Sequence, residues 1–437
     1  MPRPDPGTPP ELPATIPPRT DYITQTRHYR LITPLFGGGV EPGRCDPVTV
    51  VRAGEIRGHL RFWWRAARGG QFSGNLAQMK EAEDALWGAA GNEQGGGPSK
   101  VEVVVHKPAQ NQRGRPFIAQ NHKGKEVPIG KPDSLYSYVA FPLRDTPELP
   151  VLENVAFSLT ITFPKENDED VESALWAWET FGGVGARTRR GCGALQLTQI
   201  NDTEITTIPT DELRQSIFDG LQTHVVAGTW PPDVPHLLQQ PTSDWIRVLP
   251  FPNQSAMDAW VELFSTLKDF RQQRPRGRGR NRWPEPDAIR NLTGRAHSRH
   301  RQPINSIRKF PRAAFGLPIM FEFKRDDQRD GDPRGKNELC GRSHNDRVKY
   351  ERLASPLLLR PMASINGAVG LALLLHGTHL PDKLVLNTEK GEKSVSALLS
   401  EAEAQSIREA ETNAPLLGAE TNVLRAFLNY LDGEADQ

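Results

Sequence analysis

The run from Gly182 to Gly193, Gly-Gly-Val-Gly-Ala-Arg-Thr-Arg-Arg-Gly-Cys-Gly, sets five glycines and three arginines in twelve residues. Glycine at that density is incompatible with a regular element, so the run is a loop. Its flanks fix the local order. Val171, Leu175 and Trp178 recur at helical spacing across Asp170–Phe181, and Ala194–Ile200 reads as a strand. Upstream, Tyr22–Leu35 is strand-like until Pro34 and Gly37–Gly39 end it, and Val48–Val51 suggests a short extended piece. Gly54–Arg68 is a helix with Ile56, Leu60, Trp63 and Ala67 on its buried stripe, followed by strands at Val101–Val105 and Val155–Phe163. Strand, helix, two strands, helix, strand is a βαββαβ order, so residues 20–200 are expected to form one ferredoxin-like, split-βαβ domain.

A second pass of similar kind is expected in 201–437. Trp245–Leu249 is strand-like, Ala256–Arg271 helical, Ala314–Phe323 and Leu357–Arg360 extended, and Val369–Leu375 a buried strand. An amphipathic helix, Glu420–Leu431, closes the chain in an acidic region. The predicted fold class is therefore α+β, with two ferredoxin-like domains in tandem. Residues 1–19 hold eight prolines and are expected to be a disordered arm.

The 437 residues carry 54 Lys+Arg against 53 Asp+Glu, a net charge of +1 that by itself argues against a nucleic-acid partner. The distribution argues otherwise. Residues 271–312 hold 13 basic side chains and two acids, whereas the 56 residues from Asp382 carry a net −6. Of the 54 basic residues 39 are arginine, whose planar fork reads phosphates bidentately. A GC-rich genome raises Arg, Gly and Pro together, so only the positions of the arginines carry weight. No apolar run approaches the roughly 20 residues of a membrane span. With no signal-peptide pattern and three scattered cysteines, Cys45, Cys192 and Cys340, a cytoplasmic protein without a disulfide framework is expected.

Two constellations suggest RNA. On the first helix Arg57, Arg61, Trp64 and Arg68 form one face with Arg65 beside it, and no acid between Arg57 and Arg68 offers an i,i+4 partner. Cations spaced along a groove with an aromatic surface between them suit a single strand. In the glycine-rich loop, Gly185, Gly191 and Gly193 let the backbone approach a phosphate while Arg187, Arg189 and Arg190 supply charge. Lacking Gly-Lys-Ser/Thr, it is not a nucleotide-hydrolase phosphate loop. The core at 274–280, Arg-Pro-Arg-Gly-Arg-Gly-Arg, is similar to unstructured RNA-binding segments, or else a solvated linker. His297, His300, Cys340 and His344 have spacings compatible with zinc, but no Cys-x-x-Cys supports a metal, and no cofactor is expected. No catalytic constellation stands out. His28 with Tyr29 is the one pair that acid–base chemistry on a ribose hydroxyl would need.

The loop Phe181–Leu195 resembles the signature loop of the RAMP superfamily of CRISPR RNA-binding proteins. Thr33-Pro34-Leu35-Phe36-Gly37-Gly38 and Ile56-Arg57-Gly58-His59-Leu60-Arg61-Phe62-Trp63-Trp64-Arg65-Ala66 are similar to the pattern of the first RAMP subunits of type III-B Cmr effector complexes. Cys192 stands where an aromatic residue often sits in that family. The resemblance implies tandem ferredoxin-like, RRM-like domains without nuclease activity. It also implies partners: CRISPR RNA near its 3′ end, the paired target RNA, and other RAMP subunits in antiviral defence. Arg57, Arg61, Trp64 and Arg65, with Gly185, Arg187, Arg189, Arg190, Gly191 and Gly193, are the expected RNA contacts. A metal-independent endoribonuclease that processes CRISPR transcripts is the alternative, since some relatives in the superfamily are such enzymes.

Overall fold

The computed structural model describes residues 19–41, 43–92, 95–106, 113–146, 148–272, 281–296, 307–323, 332–342, 349–350, 352–381, 383–409 and 417–435. Residues 1–18 of the expected arm, the whole arginine–glycine core at 274–280, and His297, His300 and His344 lie outside them.

The first half contains strands β1 (Tyr22–Leu31), β2 (Glu102–Val105), β3 (Leu152–Pro164) and β4 (Leu195–Ile200), and helices α1 (Ala53–Arg68), α2 (Leu76–Trp87) and α3 (Asp168–Phe181). The strands lie in the order β4-β1-β3-β2, antiparallel throughout. On β3 the alternation is strict: Val155, Phe157, Leu159, Ile161 and Phe163 are all buried, and they pack with α1 and α3 in one core. Ile56, Leu60, Trp63 and Ala67 of α1 complete it.

A buried ion network ties β1 to α3. The Arg27 guanidinium donates to Glu179 at 3.0 Å and to Glu172, and the Tyr29 hydroxyl donates to Glu179 at 2.6 Å. Burial pushes the Glu179 carboxyl above the usual range, against the pull of Arg27 and Tyr29.

The second half holds strands β5 (Ile246–Pro252), β6 (Ile319–Phe321), β7 (Asn337–Arg342), β8 (Leu357–Ser364), β9 (Gly367–Leu374), β10 (Lys383–Thr388) and β11 (Gly391–Val395). Its helices are α4 (Thr210–His224), α5 (Ala256–Gln272), α6 (Glu285–Thr293), α7 (Glu401–Glu409) and α8 (Val423–Ala435). One antiparallel sheet runs β5-β9-β8. A second, β6-β7-β10-β11, is formed by segments inserted between α5 and β8 and after β9. The chain order β5-α5-β8-β9-α8 follows a βαββα path, and among the described residues no fourth strand pairs with β5. Pro250 and Pro252 sit on that edge strand, where a missing N–H on the outer side breaks no ladder bond.

Several expectations are corrected. Val48–Val51 is a turn, because the Asp46 carboxylate accepts from the backbone N–H groups of Val48 and Thr49 and Val50 takes a left-handed φ of 53°. Within Ala314–Phe323, Ala314 and Phe315 belong to a 3-10 turn, Pro311–Phe315, that precedes the short β6. The described part of 271–312 is packed structure, not a solvated ribbon. In it, Arg290 pairs with Asp287 at 2.7 Å, and Arg312 pairs at 3.1 Å with Glu285, which is fully buried.

Several side chains fasten the two halves, Arg360, Arg190 and Trp260 among them. Arg360 on β8, 1% exposed, donates to the carbonyl oxygens of Thr180 and Leu195. Arg190 donates to the Leu357 carbonyl at 2.6 Å, and the Trp260 indole of α5 donates to the Arg190 carbonyl at 2.7 Å.

Candidate nucleic-acid interface

Two glycine segments meet against the start of α1. The 182–193 loop returns along the end of β1: Ala186 N–H donates to Phe36 O at 2.7 Å, and Gly193 N–H to Pro34 O at 2.9 Å. The Thr33 hydroxyl joins the two, donating to Gly191 O at 2.6 Å and accepting from Ala194 N–H at 2.9 Å. Arg52 holds the Gly37–Gly39 turn through the carbonyls of Gly38, at 2.7 Å, and Gly39, at 3.0 Å. Glu55, in the first turn of α1, accepts from the Gly185 N–H. An open cleft remains, lined by Gly38, Arg52, Gly54, Gly58, His59 and Gly185 with Glu55 on its floor.

Gly185 cannot be replaced without strain. Its φ is +82°, and a Cβ there would lie 2.3 Å from Leu35 Cδ1 and 2.7 Å from Phe36 O. Gly54 and Gly58 are the opposite case. They lie one turn apart on α1, both are exposed, and a Cβ at either would touch nothing. Glycine inside a helix costs about 1 kcal/mol relative to alanine, and neither packing nor backbone conformation requires it here. The effect is a strip of bare helix backbone facing the cleft.

Several nitrogens of α1 and the loop are buried and make no hydrogen bond among the described residues. Arg57 Nε, His59 Nε2 and Arg187 Nε each make no hydrogen bond, and His59 Nε2 lies 3.6 Å from Glu55 Oε1. Arg187 holds a left-handed φ of 59°, and burial lowers its guanidinium pKa. Helical periodicity sets Arg57 on one side of the Gly54–Gly58 strip and His59 on the other. The arrangement sets the Arg52 guanidinium and the His59 imidazole beside a groove lined by glycine backbone, a shape that a sugar–phosphate backbone can enter.

The remaining expected contacts are engaged elsewhere. Trp64 is 1% exposed, packs near Phe72 and offers no face to a base, so it is a core residue. Arg61 and Arg65 both pair with Glu83 of α2, at 2.7 and 2.6 Å, and Arg68 pairs with Glu169 and Asp170 of α3. The acids missing at i,i+4 come from neighbouring helices. Arg189 donates to the Ser355 carbonyl and lies 5.4 Å over the Phe62 ring, while Arg190 binds Leu357 O. Burial pulls their guanidinium pKa values down to about 10 and about 9, which leaves both charged at neutral pH. Gly191 and Gly193 likewise serve close packing: a Cβ would lie 2.6 Å from the Trp260 ring and 2.0 Å from Val184 O. Sequence reasoning missed Gly38, Arg52, Gly54, Glu55 and His59. Two unneeded glycines one turn apart in a strong helix were the available signal for the cleft.

Glu83 is 3% exposed and its carboxylate holds two guanidinium groups. Glu83→Ala is expected to destabilise the protein by about 2 kcal/mol, the cost of a half-buried pair being reduced by the exposure of both arginines. Urea unfolding measures this directly.

Two other features bear on chemistry. His28 and Tyr29 are adjacent on β1 and face opposite sides of the sheet, and the Tyr29 hydroxyl is bound to Glu179, so the two do not form a working pair. Cys340 is fully buried on β7, and no group of three or more potential metal ligands occurs among the described residues.

Residues 28–196 match the RAMP superfamily. Among curated proteins, the CRISPR system Cmr subunit Cmr1-2 of Pyrococcus furiosus is 24% identical over 185 residues, covering 39% of this chain and 93% of that protein. The Cmr subunit Cmr1-1 of the same organism is 26% identical over 320 residues, covering 69% of this chain and 80% of that one. The crystal structure of apo Cmr1 from P. furiosus aligns with a TM-score of 0.48 at 14% identity, covering 89% of this chain and 97% of that one. A cryo-EM structure of the type III-B Cmr-beta complex bound to cognate target RNA contains a chain that aligns at 0.44 and 13% identity, covering 89% of this chain and 98% of that one. Among the described residues, no helix is long and apolar enough to cross a membrane.

Proposed function

We propose that this chain, a member of the RAMP superfamily, is a non-catalytic RNA-binding subunit of a type III-B CRISPR effector complex. It would assemble with other RAMP subunits and hold the 3′ region of the CRISPR RNA, the target strand paired to it, or both. The curated relatives, both named as Cmr subunits, support the assembly. The β4-β1-β3-β2 order in the first half and the βαββα path in the second support a tandem of ferredoxin-like domains, the second without its last strand.

One observation carries the RNA reading: the glycine-lined cleft on α1, with nitrogens on Arg57, His59 and Arg187 that make no hydrogen bond among the described residues. A ribose-phosphate backbone lying along Gly54 and Gly58 would satisfy those nitrogens. Glu55 fixes the loop by holding Gly185 N–H, and its carboxylate repels a phosphate placed too deep. Arg61, Arg65, Arg189 and Arg190 act indirectly, by fixing α1 and the loop. Nothing in this arrangement breaks a bond; it holds a strand by its backbone, which suits a complex whose sequence specificity comes from base pairing.

Fluorescence anisotropy with single-stranded RNA tests the cleft. Arg57→Ala and Arg187→Ala are each expected to weaken binding and to make the plot of log K against log salt shallower by about 0.7, the value for one lost phosphate contact on a single strand. Arg65→Ala is expected to leave that slope unchanged. Equal slopes in all three folded variants would remove the cleft assignment, and cleavage of repeat RNA in EDTA would restore the ribonuclease alternative.

A further inference from the structure

Between α4 and β5 the chain runs as a strap over the C-terminal end of α1. Val226 N–H donates to Ala67 O at 2.9 Å, Leu237 N–H to Ala66 O at 3.0 Å, and the Trp230 indole to Arg65 O at 2.9 Å. Gly69 and Gly70 leave room for that indole: a Cβ at either would come within 2.8 Å of it. On its other side the strap is tied to the residue just beyond β9, with His236 and His376 exchanging both backbone hydrogen bonds at 2.9 Å. The strap thereby adds a further tie between the first half and the second, made through one pair of histidines.

The side chains of that pair also meet. His236 Nε2 and His376 Nδ1 are 3.1 Å apart. His236 Nδ1 lies 2.8 Å from the Val234 carbonyl, which only accepts, so that nitrogen carries the proton and Nε2 is bare. His376 Nδ1–H is then the donor. Trp230 stacks on His236 at 4.3 Å and 4°, and Trp245 packs on His376 at 4.8 Å. The surrounding charges are paired off: Asp233 with His379 at 3.1 Å, Arg425 with Asp244 at 3.6 Å, and Arg65 with Glu83. Among the described residues, no carboxylate hydrogen-bonds either imidazole.

We propose that residues 225–240 are a pH-sensitive strap, closed while His236 Nε2 can accept from His376 and opened when that nitrogen takes up a proton. A proton on the far nitrogen of His376 leaves the bond intact. With His376 protonated on both nitrogens, a further proton on His236 Nε2 sets N–H against N–H in a buried site, with Nδ1 already committed to Val234. Burial, with the neighbouring His376, holds His236 down at about 4, against an ordinary 6.5 once the strap is open. The open form binds the proton more readily between those values, so closure is fully favoured above about pH 6.5 and is lost as pH falls toward 4. At pH 5 the ratio of open to closed strap rises about thirtyfold over its value at pH 7.5.

Hydrogen exchange on the intact chain, corrected for intrinsic rates, tests this. Protection of amides in 225–240 is expected to fall about thirtyfold between pH 7.5 and pH 5.0, with no matching loss in α3. In His236→Phe, which keeps the stack on Trp230, protection is expected to be the same at both pH values. His236→Gln, whose side-chain oxygen accepts from His376, is expected to behave likewise and serves if the phenylalanine variant does not fold. Unchanged protection in the wild-type strap, an equal loss in α3, or a loss that persists in the folded variants would each overturn the proposal.

Discussion

Gly58→Ala is expected to make the protein more stable and a worse RNA binder. The added methyl meets no atom of the protein, and it removes glycine's penalty in a helix, so stability rises by about 0.5–1 kcal/mol. The same methyl stands where a strand would touch the helix backbone, and RNA affinity falls roughly tenfold, the scale of loss when one close contact is displaced. Gly58→Leu, still a good helix former, fills more of the cleft and is expected to lose at least about a hundredfold. Thermal melts and anisotropy on the same preparations give both signs. Glycine retained for folding alone would instead show stability and binding moving together.

The largest stability effect belongs to the network under β1. Arg27→Met removes the cation that faces Glu179 and Glu172, leaving Glu179 buried with the Tyr29 hydroxyl as its remaining hydrogen-bond partner among the described residues. Breaking such a pair from one side costs about 3–5 kcal/mol, far more than a surface ion pair. Adding Glu179→Gln to Arg27→Met is expected to recover about half of that loss, because the stranded charge disappears with the carboxylate. Urea unfolding of both variants checks this. A loss under 1 kcal/mol in Arg27→Met would mean that the network is screened by water.

What the chain revealed in advance was periodicity. β3 and α1 are legible because Val155 to Phe163 alternate and Ile56, Leu60, Trp63 and Ala67 follow a helical stripe, and each signal is contained within one element. α2 and α4 were missed, and so was the β10–β11 hairpin, whose strands are short and mostly polar. The arginines show the limit most clearly. Arg61 and Arg65 looked unpaired because only positions along their own helix were considered, whereas Glu83 reaches them from 18 residues further along the chain or more. Arg189 and Arg190 looked like phosphate ligands, yet both end on carbonyl oxygens of the second half.

The glycine-rich loop therefore has two faces. Arg189 and Arg190 bind carbonyl oxygens of the second half and Gly191 packs against Trp260, while Gly185 lines the cleft. A net charge of +1 is compatible with the proposed RNA partner: Arg27, Arg61, Arg65 and Arg68 are paired with carboxylates, whereas Arg57 Nε and Arg187 Nε make no hydrogen bond among the described residues.

The central claim, that a nucleic-acid backbone lies along Gly54 and Gly58, is tested most directly by a cryo-EM map of the assembled complex with guide and target RNA bound. The expected result is ribose-phosphate density in the cleft, with phosphate oxygens within hydrogen-bond distance of Arg57, His59 and Arg187. Density for a protein segment of another subunit in that cleft, with both RNA strands passing elsewhere, would contradict it.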